Sequence, residues 1–221
     1  MIDVLKYWNL CDEKITPIDT VHKSAWDIGD KFILKRISDN DALLRNIHLI
    51  NSLYSHNIPV AVYIKTVNGQ WISDDGMYCL MKKLSGEHID FYAQPDMIKE
   101  LGRELAKLHM TLKTIESQVE CNDNNYIDEW QNYIKAGLVN IPDEIIYFIE
   151  TRFFELYKNL PRQLIHRDVH SQNMLLENGK LSGWLDFDIS CRNIKMFDLA
   201  YLQKLMTRLW LKNGSCFIKI Y

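Results

Sequence analysis

The sequence predicts an α+β protein of two lobes, an antiparallel sheet lobe with one main helix followed by a mostly helical lobe. Strand-and-turn signals crowd into the first third of the 221 residues, and a single helical segment interrupts them. From about residue 85 onward the apolar spacing changes to that of amphipathic helices. The sheet lobe is assigned to residues 1–83 and the helical lobe to residues 84–221, a chain long enough to bury a sizeable core.

Each element has its own signal. "AWDIGDKFILKR" reads as a hairpin turning at Gly29-Asp30. "VYIKTVNGQWIS" reads as a second, with Asn68-Gly69 supplying the two positive-φ residues of a type I′ turn. "DDG" at 74–76 turns the chain into the strand "MYCLMKKL". The interrupting helix is capped by Asp41, places Leu43, Ile47, Ile50 and Tyr54 on one face, and stops at Asn57 before Pro59. "LSGEH" connects the lobes. In the second lobe, Ile98, Leu101, Leu105, Leu108 and Leu112 mark one amphipathic helix. Ile145, Ile149, Phe153 and Leu156 mark another beginning after Pro142, with a shorter helix in "CNDNNYIDEWQNYIKAGL" between them.

Composition narrows the function classes. The chain is 47% hydrophobic and 25% charged, ordinary for a globular protein, and its net charge of −3 gives no basic footprint for nucleic acid or an anionic membrane. The cysteines at 11, 79, 121, 191 and 216 are widely spaced and form no Cys-x-x-Cys pair, which argues against a disulfide framework or structural zinc. No apolar run is long enough to span a membrane, and the N-terminus does not read as a leader, so a cytoplasmic setting is expected. There is no Gly-x-Ser-x-Gly elbow and no Gly-x-x-x-x-Gly-Lys phosphate loop.

The chemistry concentrates in "LIHRDVHSQNMLLENGKLSGWLDFD". Asp168 and Asn173 stand five apart on a loop, and a hairpin turning at Asn178-Gly179 carries Asp186 back beside them. Hard oxygen donors suit Mg²⁺, which takes one or two carboxylates together with phosphate oxygens and water. Asn173 and Asp186 are the expected metal contacts, and Asp168 is left to accept a hydroxyl proton. Phosphoryl transfer asks for little more than such positioning and charge neutralisation.

This segment, with "FDLA" ten residues further on, resembles the aminoglycoside phosphotransferase and choline kinase-like family, small-molecule kinases with a protein-kinase-like fold. The usual loop of that family reads His-Gly-Asp-x-His-x-x-Asn, and His170 matches its second histidine. "ELAKLH" at 104–109 is similar to the family's Leu-Ala-x-Leu-His helix. The resemblance implies that backbone groups of Lys82 and Leu84 in "CLMKKLSGEHI" meet the adenine of ATP, and that Lys35 of "FILK" meets the α/β-phosphates. It makes Asp168 the catalytic base and Asn173 and Asp186 the Mg²⁺ ligands, and gives Asp198 the structural task of holding the backbone at His166 and Arg167. It covers residues 15 to 201 and implies ATP-dependent phosphorylation of a hydroxyl on a small molecule, whether aminoglycoside, choline or homoserine-like.

The sequence departs from that pattern in places. "DTVHKSAWDIG" lacks a glycine ahead of the strand, where a phosphate-covering loop is expected. The helix "ALLRNIHLINSLYS" holds no acid to partner Lys35, leaving Asp39 or Asp41 at its start as the nearest substitutes. The chain stops soon after Asp198, so the helical lobe reads as truncated, and the apolar tail "LQKLMTRLWLKNGSCFIKIY" favours a homo-oligomer. These features motivate the alternative of a nucleotide-binding pseudokinase or scaffold. A zinc site from the alternating His166, Asp168 and His170 is a rival that lacks further ligands. For the substrate, Glu120, Asp123, Asp128 and Glu129 suit a polyamine-like cation, and Tyr126 with Trp130 suits a quaternary amine.

Overall fold

The computed structural model describes residues 2–18, 24–89, 97–137 and 141–202. A short helix α1 (Ile2–Leu5) leads through a 3₁₀ turn into strands β1 (Ile15–Pro17), β2 (Ala25–Ile28) and β3 (Phe32–Arg36). Helix α2 (Asn40–Ser55) follows, then β4 (Tyr63–Ile64) and β5 (Tyr78–Lys82). The five strands form one antiparallel sheet in the order β1-β2-β3-β5-β4. Gly29 and Asp30 both have positive φ, at 61° and 60°, as the tight turn between β2 and β3 requires.

Side chains alternate across a strand, so the two faces of the sheet have different partners. Leu34 and Leu80 join Ile28 beneath Leu5 and Trp8 of the N-terminal helical turns. Cys79 instead joins the core that includes Leu43, Ile47, Ile50 and Leu53 of α2. Lys35 stands opposite Cys79 in the β3–β5 register, which puts it on the α2 side of the sheet.

Three details of this lobe differ from the expected ones. The N-cap of α2 is Asp39, whose carboxylate accepts the Ala42 N–H at 2.9 Å, and Asp41 lies inside the first turn. Leu53 rather than Tyr54 completes the buried stripe, and Tyr54 is exposed. At 66–70 the chain turns, but Gly69 alone has positive φ, the Gly69 N–H closes on the Thr66 carbonyl, and no return strand forms. That is a longer loop built around an ordinary turn, and its Val67 N–H is drawn to the Tyr7 carbonyl instead of a hairpin partner.

The connection to the second lobe carries β6 (Glu87–His88), after which α3 (Ile98–Ile115) buries Leu101, Leu105, Leu108 and Leu112 as its spacing implies. Strand β7 (Asn122–Asp123) precedes α4 (Tyr126–Lys135), which is capped by the Asn125 side chain. Then come α5 (Asp143–Phe148), one π-helical turn at Ile149–Phe153, and α6 (Phe154–Asn159). The π turn adds residues to the repeat and rotates the stripe. Phe154 and Tyr157 are buried in consequence, while Ile145 and Leu156 of the expected stripe are exposed.

Four strands complete the described chain: β8 (Arg162–Ile165), β9 (Met174–Glu177), β10 (Lys180–Trp184) and β11 (Cys191–Ile194), followed by helical residues 196–202. β9 and β10 pair around the turn at Asn178 and Gly179, both at positive φ, and β6 extends that sheet. β8 and β11 pair antiparallel, with β7 alongside. The core running through α2, α3, β8 and β10 is continuous, and Trp184 at its centre is fully buried. The apolar tail and its expected role in self-association lie outside the described residues.

Candidate active site

The loop after β8 is held from below. Asp198, wholly buried, accepts the backbone N–H groups of His166 at 3.1 Å and Arg167 at 2.6 Å, and the His109 ring nitrogen at 2.8 Å. Three donors on one carboxylate satisfy its charge without solvent. Arg167 adopts φ 72°, a left-handed conformation costly for a side-chain-bearing residue, and its guanidinium pairs with Glu129 on α4. His166 is buried and donates from Nε2 to the Leu185 carbonyl at 2.9 Å, while Nδ1 accepts the Asp168 N–H at 3.2 Å. Burial lowers the His166 pKa against the smaller opposing pulls of Asp198 and the Leu185 carbonyl, so the ring stays neutral.

This scaffold presents Asp168, His170 and Asn173 together. The Asn173 amide nitrogen donates to the Asp168 carboxylate at 2.9 Å and to its backbone carbonyl at 3.0 Å. His170 accepts the Gln172 N–H at Nδ1, which leaves its proton on Nε2, 3.2 Å from Asp168 Oδ2. Asp168 Oδ2 is therefore served twice, and Oδ1 has no protein partner among the described residues. With its nitrogen committed, Asn173 retains its side-chain oxygen as the atom a cation would meet.

The β9–β10 hairpin returns the chain to this loop, and the Leu185 N–H donates to the Asn173 carbonyl at 2.9 Å. Asp186 follows at φ 58°, a second strained backbone position beside the first. Lys35 reaches across from β3, its Nζ 2.5 Å from Asp188 and 3.7 Å from Asp186. Burial lowers the Lys35 pKa, but the attraction of Asp188 and Asp186 outweighs it and the net shift is upward. Burial raises the Asp186 pKa; Lys35 offsets part of this and the neighbouring Asp188 adds to it. Two carboxylates facing one ammonium leave an excess negative charge, the electrostatic setting in which a divalent cation binds.

The partner of Lys35 is thus neither Asp39 nor Asp41, since Asp39 is spent on the helix cap. Asp188 does that work, and Asn46 of α2 donates to the other Asp188 oxygen. Neither residue was singled out from the sequence. A signal existed for both: Asp188 is the second acid of "DFD", and Asn46 is a polar residue in the apolar stripe of its helix.

At the interlobe connection, the Lys82 N–H is committed to the Val62 carbonyl at 2.8 Å, so of its backbone groups only the carbonyl remains for a base. Leu84 makes no protein hydrogen bond with either backbone group among the described residues. Its side chain lies over Gly183 of β10, where a Cβ would come within 2.6 Å of the Leu84 methyl.

The other candidate residues find different employment. His166 has both ring nitrogens occupied, and no cluster of three or more His, Cys, Asp or Glu able to hold a metal occurs among the described residues, which removes the zinc reading. Asp123 pairs with Arg162 and Glu129 with Arg167. Tyr126 packs against Phe153, Tyr157 and Phe197 at centroid distances of 5.4, 6.0 and 5.3 Å, and the Trp130 indole donates to Glu150. Those aromatics serve the lobe's core and do not form an amine cage.

An antiparallel sheet lobe with one helix, joined by a short connection to a lobe bearing this loop and hairpin, is a protein-kinase-like fold. The chain belongs to the phosphotransferase enzyme family (APH), whose family model matches residues 17–213. Among curated proteins it is similar to the homoserine kinase of Neisseria meningitidis, 30% identical over 104 residues that cover 45% of this chain and 33% of that one. The homoserine kinase of Zymomonas mobilis is 26% identical over 167 residues, 69% of this chain and 50% of the relative. The chain thus spans between a third and about half of these relatives. Among solved structures, the GDP and kanamycin complex of APH(2")-IIia aligns with a TM-score of 0.69 at 15% identity, covering 92% of this chain and 78% of that one. The amicoumacin kinase hAmiN, in complex with AMP-PNP, aligns with a TM-score of 0.66 at 14% identity, covering 97% and 77%.

Proposed function

We propose that the chain transfers the terminal phosphoryl group of ATP to a hydroxyl of a small molecule, with Mg²⁺ bound at Asn173 and Asp186. One observation carries this reading: Lys35 faces Asp186 and Asp188 immediately beside the loop on which Asp168 and Asn173 are hydrogen-bonded together. The donor set suits the cation, being a carboxylate in a region of excess negative charge and an amide oxygen whose nitrogen is already spent. When bound, the cation neutralises charge on the phosphates.

The chain's own groups divide the remaining work. Lys35 holds the α/β-phosphates, and the Lys82 carbonyl and Leu84 backbone meet the adenine. Asp168 orients the acceptor hydroxyl and takes its proton at Oδ1, while Asn173 and His170 fix the other oxygen and so aim the carboxylate. Aminoglycoside, choline and homoserine-like compounds are the acceptor classes; the homoserine kinases among the relatives support the last, and the kanamycin and amicoumacin complexes support antibiotic acceptors. No helix among the described residues is long and apolar enough to cross a membrane, and a cytoplasmic reaction suits a nucleotide-consuming enzyme.

An ATP-consumption screen over aminoglycosides, choline, ethanolamine, homoserine and sugars tests the proposal. Acceptor-dependent ADP release is expected, falling at least about 100-fold in Asp168→Asn while nucleotide binding persists. Nucleotide binding without turnover on any acceptor would favour a scaffold instead, and turnover in Asp168→Asn within about twofold of the parent would refute the base assignment.

A further inference from the structure

We infer that Asn46 and Asp188 together replace an acid on α2: Asp188 supplies the charge that positions Lys35, and Asn46 positions Asp188. The inference deepens the phosphoryl-transfer reading and rests on its assignment of Lys35 to the phosphates.

Helix α2 has no carboxylate beyond Asp41. On its buried face, at the level of Lys35, it presents Asn46, which is 8% exposed among Leu43, Ile47 and Ile50. The Asn46 amide nitrogen donates to Asp188 Oδ1, and it also reaches the Tyr63 hydroxyl at 3.3 Å. Asp188 Oδ2 accepts from Lys35 at 2.5 Å. One carboxylate is therefore shared between an amide donor on the helix and the ammonium on β3, one oxygen to each.

The amide's orientation shows which of its atoms matters. Asn46 Oδ1 is buried and has no hydrogen-bond partner. Reversing the amide would set that oxygen against the Asp188 carboxylate, acceptor against acceptor, so donation to Asp188 fixes the side chain even though its own carbonyl goes unpaired. An acid at position 46 would create the same acceptor–acceptor contact with an added charge. Asn46 is thus matched to an acid at 188 and is not a weakened acid in its own right.

The arrangement also separates the tasks of the two acids. Asp188 is held by two donors and lies closer to Lys35, while Asp186 lies 3.7 Å from the same ammonium. Asp186 is the carboxylate that can turn to a cation without releasing Lys35. Asn46 is a positioning residue in this scheme, acting on the lysine through Asp188.

A donor–acceptor exchange tests the inference. Asn46→Asp, Asp188→Asn and the double variant are compared with the parent by thermal unfolding without ligand and by Mg·ATP affinity, with KM for the acceptor measured separately. Asn46→Asp is expected to lower the melting temperature and weaken Mg·ATP binding about tenfold, leaving acceptor KM unchanged. The double variant restores an amide facing a carboxylate with the acid moved onto the helix, and should recover more than half of both losses. An Asn46→Asp protein as stable and as tight for Mg·ATP as the parent, or a double variant whose losses simply add, would overturn the inference. Failure of the parent to bind Mg·ATP would refute the phosphoryl-transfer reading, whereas the unfolding cycle without ligand still decides whether Asn46 and Asp188 are coupled as described.

Discussion

Asp198→Asn is the substitution whose cost follows most directly from the structure. The carboxylate is fully buried and accepts from the His166 and Arg167 N–H groups and from His109. An amide keeps the shape but turns a donor toward at least one of those donors, so one or two charge-assisted hydrogen bonds are lost, each worth about 1.5–3 kcal/mol. The Arg167 backbone at φ 72° also loses an anchor for a conformation that costs about 1–3 kcal/mol. A net loss of about 3–5 kcal/mol is expected. For a chain of this size each kcal/mol is worth roughly 2–4 °C, so the melting temperature should fall by about 6–20 °C. The assay is thermal unfolding followed by circular dichroism, with Asp168-dependent turnover measured well below the transition. Because the loop relaxes, turnover should fall more steeply than nucleotide affinity. A melting temperature within about 2 °C of the parent would show that Asp198 does not hold the loop.

Three further outcomes are expected. His166 is kept neutral by burial, so the unfolded chain binds a proton that the folded one refuses; stability is full above about pH 6.5 and declines as pH falls below it, and His166→Gln should flatten that slope in unfolding experiments at pH 5 to 7.5. Gly86 in the interlobe connection has φ 112°, and a Cβ there would lie 2.6 Å from the Leu176 carbonyl oxygen, so Gly86→Ala should cost about 2–4 kcal/mol in urea unfolding and weaken nucleotide binding; a neutral result would show that the connection can shift freely. Lys35→Met removes the cation between Asp186 and Asp188, so nucleotide affinity should drop about tenfold or more in a calorimetric titration, and an unchanged affinity would remove Lys35 from the phosphate site.

The parts of this fold that were legible in the sequence are those set by local rules. The Gly29-Asp30 and Asn178-Gly179 turns need positive φ, and the leucines of α3 mark their buried face by spacing alone. The loop residues Asp168 and Asn173 stand close in sequence, so their shared loop is readable from spacing, and the hairpin turn returns the chain to that loop, where the Leu185 N–H meets the Asn173 carbonyl. What was not legible depends on contacts distant in sequence or on small local changes. The π turn at Ile149–Phe153 shifts a stripe that periodicity alone would continue. The cap of α2 fell to Asp39 over Asp41, a choice made by one hydrogen bond. Above all, the partner of Lys35 is expected on the neighbouring helix, and it lies 153 residues away on the loop after β10. An asparagine facing a carboxylate cannot be recognised until both sides of the contact are in view.

Anomalous diffraction from a crystal grown with Mn²⁺ and a non-hydrolysable ATP analogue tests the shared site most directly. The expected map has a manganese peak within about 2.5 Å of the Asn173 side-chain oxygen and an Asp186 carboxylate oxygen, with Lys35 on the phosphates and Asp168 clear of the metal. A metal bound elsewhere, or nucleotide density that leaves Asn173 and Asp186 uncontacted, would contradict the phosphoryl-transfer site described here.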